Sequence, residues 1–319
     1  MNKTDKFLLA AIFCIIAIGI AVLYSATRVY YSQGIVFRQI FWAIFSIIVL
    51  LAVLRIDYRR FVSIAYLLYG LTIFFLLFVL VMGKTRGGSQ RWISMGFFNF
   101  QPSELAKISL ILVLGSFIGK RKTDVDKITL LLKSACFVIP IFFLILIEPD
   151  LGGALILLPI TFIMLFAGGV RVKHFVGIAL LGMSAVPFFW HFLKDYQKQR
   201  LFVFINPNVD PLGSGYTIIQ SKIAVGSGGL LGKGWLSGTQ NQLNFLPERH
   251  TDFIFSVVGE EWGFLGALIL ILLYIVIIYR GLKIAEGTAD FTGKLIAVGF
   301  VTVFSVQVII NIGMAIGFF

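Results

Sequence analysis

Seven charged residues of this chain stand where chemistry would need them. Asp252 lies in ERHTDFIF, just ahead of an apolar run; Glu104 and Lys107 lie in QPSELAK, where another apolar run begins; Arg38 stands at the start of a third, and Arg91, Lys233 and Arg249 lie in the segments between runs. A carboxylate can take a proton, and cations suit phosphate oxygens, Arg as a planar fork and Lys as a compact point charge. Each group also has a plain structural role. By position alone Asp252 is a helix N-cap. Ser103 would cap the helix that Glu104 opens, with Glu104 and Lys107 as an i,i+3 pair. The four basic residues would hold lipid headgroups by snorkelling. Charges entering a membrane helix are costly enough, however, to make Glu104 and Lys107 functional candidates in their own right.

Other polar residues carry weaker signals. Glu148 and Asp150 flank Pro149 at the end of an apolar run, and offer either a divalent-cation site, a hold on a basic residue or a polar helix end. His250 adjoins Asp252 and reads as a packing or hydrogen-bonding residue, since no second His is near enough to make a metal pair. Glu260 and Glu261 orient the start of a helix or pair with an inward-facing Arg. Gln220 to Lys222 reads as a solvated face with room for a sugar or peptide contact. Cys14 and Cys136 fall inside apolar runs and are small core residues, not a disulfide.

The elements that position these residues follow from composition. With 319 residues, 59% hydrophobic and 13% charged, the chain has more apolar surface than a soluble core could hide, so the bilayer is its solvent. The net charge of +12 then reflects anionic headgroups and the positive-inside rule, not nucleic acid. Runs of about 20 apolar residues place nine spans near 7–25, 37–54, 61–82, 104–119, 128–147, 151–169, 174–192, 262–279 and 295–319, the fourth short or partly exposed. Alternate short loops carry Lys3 and Lys6, then Arg55, Arg59 and Arg60, then Lys120, Arg121, Lys122 and Lys127, then Arg171 and Lys173, then Arg280 and Lys283. These loops face the cytoplasm, and the long segment at about 191–252 faces outward. The expectation is all-α: one polytopic helical bundle over 1–319, with the first run a retained span and not a signal peptide.

The outward segment is long enough to be functional. Tyr216 to Val225 reads as a short interfacial helix and Gly226 to Gly234 as flexible backbone. Its GSGGLLGKG run fails as a phosphate loop, because Ser227 replaces the first Gly and Gly234 stands where Ser or Thr is needed.

Three blocks resemble the SEDS (shape, elongation, division, sporulation) family: GGSQRWISMGFFNFQPSELAKI at 87–108, EPDLGGALI at 148–156, and the stretch from DYQKQR at 195 through DPLGSGY, IIQSKIAVGSGGLLGKGW and GTQNQLNFLPERHTDFIF. FRQI at 37–40 and NIGMAIG at 311–317 extend the resemblance over the chain. It implies a tenth span beyond Phe319, where this chain stops inside an apolar run.

The resemblance also implies a peptidoglycan glycosyltransferase. Such a protein polymerises lipid II, a disaccharide-pentapeptide on undecaprenyl pyrophosphate, with inversion to a β-1,4 linkage, for cell elongation and rod shape at the outer face of the bacterial inner membrane. Asp252 would then be the base, Glu104 and Lys107 functional charges, and Arg38, Arg91, Lys233 and Arg249 the pyrophosphate ligands. A class B penicillin-binding protein is the implied partner. A divalent cation, Mg or Mn, is admitted but not required. A lipid II flippase and a non-catalytic scaffold for a transpeptidase are the rival functions; a flippase would gather polar groups near the midplane.

Overall fold

The computed structural model describes residues 5–29, 34–86, 89–94, 99–121, 127–190, 209–211, 213 and 215–318, and of these the side chains of 84–86, 89, 90, 127, 181, 182 and 185–190 are set aside. The expectations for 191–208 therefore lie outside the described residues. Its helices are α1 Lys6–Thr27, α2 Gly34–Val53, α3 Tyr58–Ser63, α4 Ala65–Met82, α5 Pro102–Gly119, α6 Lys127–Ile147, α7 Leu151–Ala167, α8 Val172–Trp190, α9 Tyr216–Ser227, α10 Thr239–Gln242, α11 Ile254–Gly287 and α12 Phe291–Ile316. A helix stands at each of the nine expected spans. Seven of the described helices are long and apolar enough to cross a membrane; Leu151–Ala167 is a shorter apolar helix. The chain divides into two compact units, one of 1–53, 185–280 and 307–319, the other of 54–184 and 281–306.

The second unit is built on α5. Leu110, Ile111, Val113 and Leu114 are fully enclosed and pack with Leu76, Ile141, Leu157, Ile160 and Leu295. Of the expectation that the fourth span is short or partly exposed, the exposure is corrected: α5, at 18 residues among the shortest of the seven candidate spans, has the lowest hydropathy of them and is 78% buried. A helix wrapped by protein has no need of a lipid-apolar surface, so polar Ser109 and Ser116 sit on it fully buried. Gly115 admits Ile296, whose Cγ1 would stand 2.7 Å from an added Cβ. A small sheet unforeseen in the sequence, β1 Lys84–Arg86, β2 Ser89–Ser94 and β3 Asn99–Phe100, joins α4 to α5 by antiparallel pairing. In the same unit Tyr58 Oη donates to Asp290 Oδ2 at 2.6 Å, setting the loop after α2 and the loop before α12 on one side.

The first unit packs α1, the start of α11 and the end of α12 around Val22, Ala26, Phe255, Val257, Val258 and Ala315. Asp5 caps α1 by accepting from the backbone N–H of Phe7 and Leu8, and its other oxygen meets Arg280 at 2.5 Å. The basic ends at Lys6 and Arg280 are therefore on one side of the bundle, as their alternation predicts. Helix α11 starts at Ile254, eight residues before the expected span, and breaks at Gly263, where φ is +65° and ψ −162°.

Candidate active site

Asp252 sits in the turn that leads into α11, at the opposite end of that helix from Arg280. It is exposed, and the surrounding protein still crowds out enough water to raise its pKa above the ordinary carboxylate value; Glu248 raises it further and His250 opposes both. The turn is held from beneath. Arg249 is 1% exposed, donates Nε to the carbonyl of Ala26 at 3.1 Å, and bonds Asn244 Oδ1 and the Leu246 carbonyl. The guanidinium thus ties the loop before Asp252 to the end of α1.

Lys233 lies on the segment following α9. Its ammonium donates to Glu260 Oε1 and to Thr239 Oγ1, both at 2.8 Å. Glu260 is fully buried and also accepts from Thr239 Oγ1 and from the backbone N–H of Gln240 and Asn241. Its neighbour Glu261 accepts from Ser25 Oγ at 2.6 Å, from Leu236 N at 3.1 Å and from Asn241 Nδ2 at 3.3 Å. These two carboxylates stand within α11 and not at its start, because the helix begins earlier than the apolar run shows. Each has found the partners that a buried charge requires. Ser25, Thr239 and Asn241 were missed by sequence reasoning; adjacent acids in a membrane helix signal that such donors exist but do not say where. Arg38 is exposed on α2, and no polar contact involving it is described.

In the other unit, Arg91 on β2 grips the turn between α6 and α7. It reaches Asp150 Oδ1 at 3.4 Å, the Glu148 carbonyl at 3.3 Å and the Pro149 carbonyl. Asp150 caps α7 through Gly153 N and accepts from Gln101 Nε2 and Ser103 Oγ. Ser103 therefore does not cap α5: the cap position is Gln101, without a side-chain bond, and Pro102 opens the helix. One turn further, Lys107 is 3% exposed and meets both oxygens of the more exposed Glu104 at 2.7 Å. Glu148 is 1% exposed, and neither carboxylate oxygen has a hydrogen-bond partner. Burial first, then the negative charge of Asp150, pushes its pKa up to about 8.

As a cation site the Glu148–Asp150 turn does not fit. Asp150 is occupied by Arg91, Gln101, Ser103 and Gly153, and among the described residues no three His, Cys, Asp or Glu side chains are grouped to hold an ion. No step is derived through a metal.

Residues 5–319 match the family described as cell cycle protein, FTSW_RODA_SPOVE. The chain is 39% identical to the peptidoglycan glycosyltransferase MrdB of Escherichia coli K12, over 98% of this chain and 84% of that protein. It is 35% identical to stage V sporulation protein E of Bacillus subtilis 168, over 99% and 88%. Among solved structures it resembles a chain of a peptidoglycan synthase complex, with TM-score 0.87, 29% identity and coverage of 99% and 88%. The rod shape determining protein RodA of Thermus thermophilus is similar too, with TM-score 0.73, 28% identity and coverage of 98% and 86%. This multi-pass membrane protein belongs to the FtsW, RodA and SpoVE family of cell cycle proteins, the SEDS family.

Proposed function

We propose that this chain, a peptidoglycan glycosyltransferase by its family and relatives, polymerises lipid II at the outer face of the bacterial inner membrane with Asp252 as general base. The carboxylate takes the proton of the acceptor sugar hydroxyl as that oxygen attacks the anomeric carbon of the growing strand. The bond from that carbon to the undecaprenyl pyrophosphate breaks, and the pyrophosphate leaves with the electron pair, inverting the α-linked donor to a β-1,4 product.

The observation that carries this reading is the placing of Asp252: exposed, at the mouth of α11, with a proton affinity raised by its surroundings. A base near its working pH is more effective than a fully acidic carboxylate. Leaving-group charge is met by cations. In the first unit Arg38 has an exposed side chain, and Lys233 spends two of its three N–H donors on Glu260 and Thr239, keeping one for a phosphate oxygen. Arg249, enclosed on all sides, acts by fixing the turn that carries Asp252. In the other unit Glu104 and Lys107 offer a second charged pair, and Arg91 shapes the α6–α7 turn.

A broken helix such as α11 also suits a transporter. At this break, though, the freed carbonyls of Glu260 and Glu261 are taken by the N–H groups of Lys233 and Gly234, not left to bind cargo. That favours synthesis over flipping. The resemblance to a chain of a peptidoglycan synthase complex supports a class B penicillin-binding protein as the crosslinking partner.

The test uses purified protein and lipid II. Wild type yields long glycan strands, and Asp252→Ala yields none while keeping the wild-type elution profile and melting temperature. Strands from a folded Asp252→Ala protein would remove Asp252 from the mechanism.

A further inference from the structure

The break in α11 is filled by the glycine-rich segment after α9. In an unbroken helix Phe264 N would bond the Glu260 carbonyl and Leu265 N the Glu261 carbonyl. Instead Phe264 N donates to Gly229 O at 2.9 Å and Leu265 N to Leu230 O at 3.1 Å, while Lys233 N and Gly234 N donate to Glu260 O and Glu261 O, each at 3.0 Å. Two helical bonds are replaced by four to the loop. The approach is possible only without side chains: a Cβ on Gly232 would lie 2.2 Å from Glu261 O, and one on Gly228 2.0 Å from Gly259 O. The expectation of flexible backbone at Gly226 to Gly234 is thereby corrected, since from Gly228 onward glycine serves close packing.

This wedge carries Leu230 and Leu231 outward, 73% and 76% exposed, at the level of Phe264 and Leu265, themselves 58% and 47% exposed. Below them on the same helix Ile269, Leu272 and Ile275 are more than half or just half exposed, as befits a span that faces lipid. The two leucines continue that apolar surface. Their depth follows from helix rise. Arg280, held by Asp5, marks the far boundary. At about 1.5 Å per residue Leu265, on the unbroken part of the helix, lies roughly 22 Å above it, against a hydrocarbon core about 30 Å thick. The leucine tip, level with Leu265 through the Leu265 N to Leu230 O bond, therefore lies within the hydrocarbon.

We propose that Leu230 and Leu231 insert into the hydrocarbon of the leaflet on the Asp252 side, making Gly228–Gly234 a shallow re-entrant loop whose partner is the lipid acyl chain. Backbone that leaves the helix at membrane depth must be bonded by protein, and the four bonds at the break supply this. The tip fixes the height of Lys233, three residues from Leu230, against the bilayer. This inference rests on the spanning of α11 and not on glycosyl transfer.

The experiment uses the whole chain in liposomes, with Cys14→Ser and Cys136→Ser, and a nitroxide on Leu231→Cys or, independently, Leu230→Cys. Ile269→Cys serves as the lipid-depth reference and Val209→Cys, in the polar segment before α9, as the aqueous one. Collisions with dissolved oxygen and with a water-soluble nickel chelate are compared in monodisperse protein. The oxygen-to-nickel ratio at 230 and 231 is expected several-fold above that at 209 and below that at 269. Nickel access equal to that at 209 would overturn the proposal. So would shielding from both reagents, which would mean that a second copy or another protein covers the tip.

Discussion

Lys233 and Glu260 form an ion pair of 2.8 Å in which the carboxylate side chain is 1% exposed and the ammonium side chain 26% exposed. The asymmetry decides which loss matters more. If Lys233 is removed, Glu260 stays buried as an anion with only neutral donors, Thr239 Oγ1 and two backbone N–H groups. Stranding a buried charge costs on the order of 3 kcal/mol. Lys233→Met should therefore lower the melting temperature in detergent, and Lys233→Met/Glu260→Gln should recover part of the loss, because the amide needs no counter-charge. A double variant less stable than Lys233→Met alone would show that the pair is not coupled in this way.

Glu148 should make stability fall as pH rises. Its ordinary pKa is 4.5, and in the folded protein it is pushed up to about 8. Below pH 4.5 both states hold the proton and nothing is lost. Between 4.5 and about 8 the unfolded chain releases it while the folded chain keeps it, so stability declines through that window and levels off above it. The cost above pH 8 is on the order of 2–5 kcal/mol. Glu148→Gln mimics the protonated acid, so its melting temperature should exceed that of the wild type at pH 8.5 and match it at pH 4.5. Equal pH slopes for the two proteins would mean that Glu148 is ionised in the fold.

Gly263, at the break in α11, and Gly226, inside α9, should answer oppositely to alanine. Gly263 has a backbone conformation reserved for glycine, and a Cβ there would lie 2.3 Å from Gly232 N and 2.8 Å from Leu230 O. Backbone strain of that kind costs about 1–3 kcal/mol before any clash is counted. Gly263→Ala should thus unfold or aggregate the protein on extraction. Gly226 lies inside α9 with nothing within 4 Å of its would-be Cβ. Gly226→Ala should raise the melting temperature or leave it unchanged, the helix gaining about 0.5–1 kcal/mol.

How far the sequence disclosed this structure depends on whether a signal was local. The spans were legible because hydrocarbon imposes a composition over twenty consecutive residues. The turn holding Asp252 was singled out by its motif and not by periodicity, and it stands just ahead of α11. Helix α5 was misjudged because hydropathy reports what lipid tolerates, and α5 faces protein. Glu260 and Glu261 could be recognised as needing partners, but Ser25 lies 236 residues from Glu261 in sequence, and no local pattern predicts that contact. The loop wedge at Gly263 was hidden for the same reason: its glycines are required by a helix that follows more than twenty residues later.

The pH dependence of polymerisation should expose the surroundings of Asp252. As the proposed general base it must be ionised, so the rate falls as pH drops through its pKa, and burial with Glu248 places that acid limb above the ordinary 3.8. Two neighbours then act with opposite signs. Glu248 raises the pKa, so Glu248→Gln should move the limb to lower pH. His250 lowers it, so His250→Ala should move the limb to higher pH and reduce the rate most in mildly acidic buffer. Both residues lie within four positions of Asp252, so a general loss of folding would depress the rate at every pH instead of sliding the limb. Rates measured on lipid II across the acid range in wild type and both variants separate these outcomes. Shifts of the same sign in the two variants, or none in either, would mean that the titrating base is another residue.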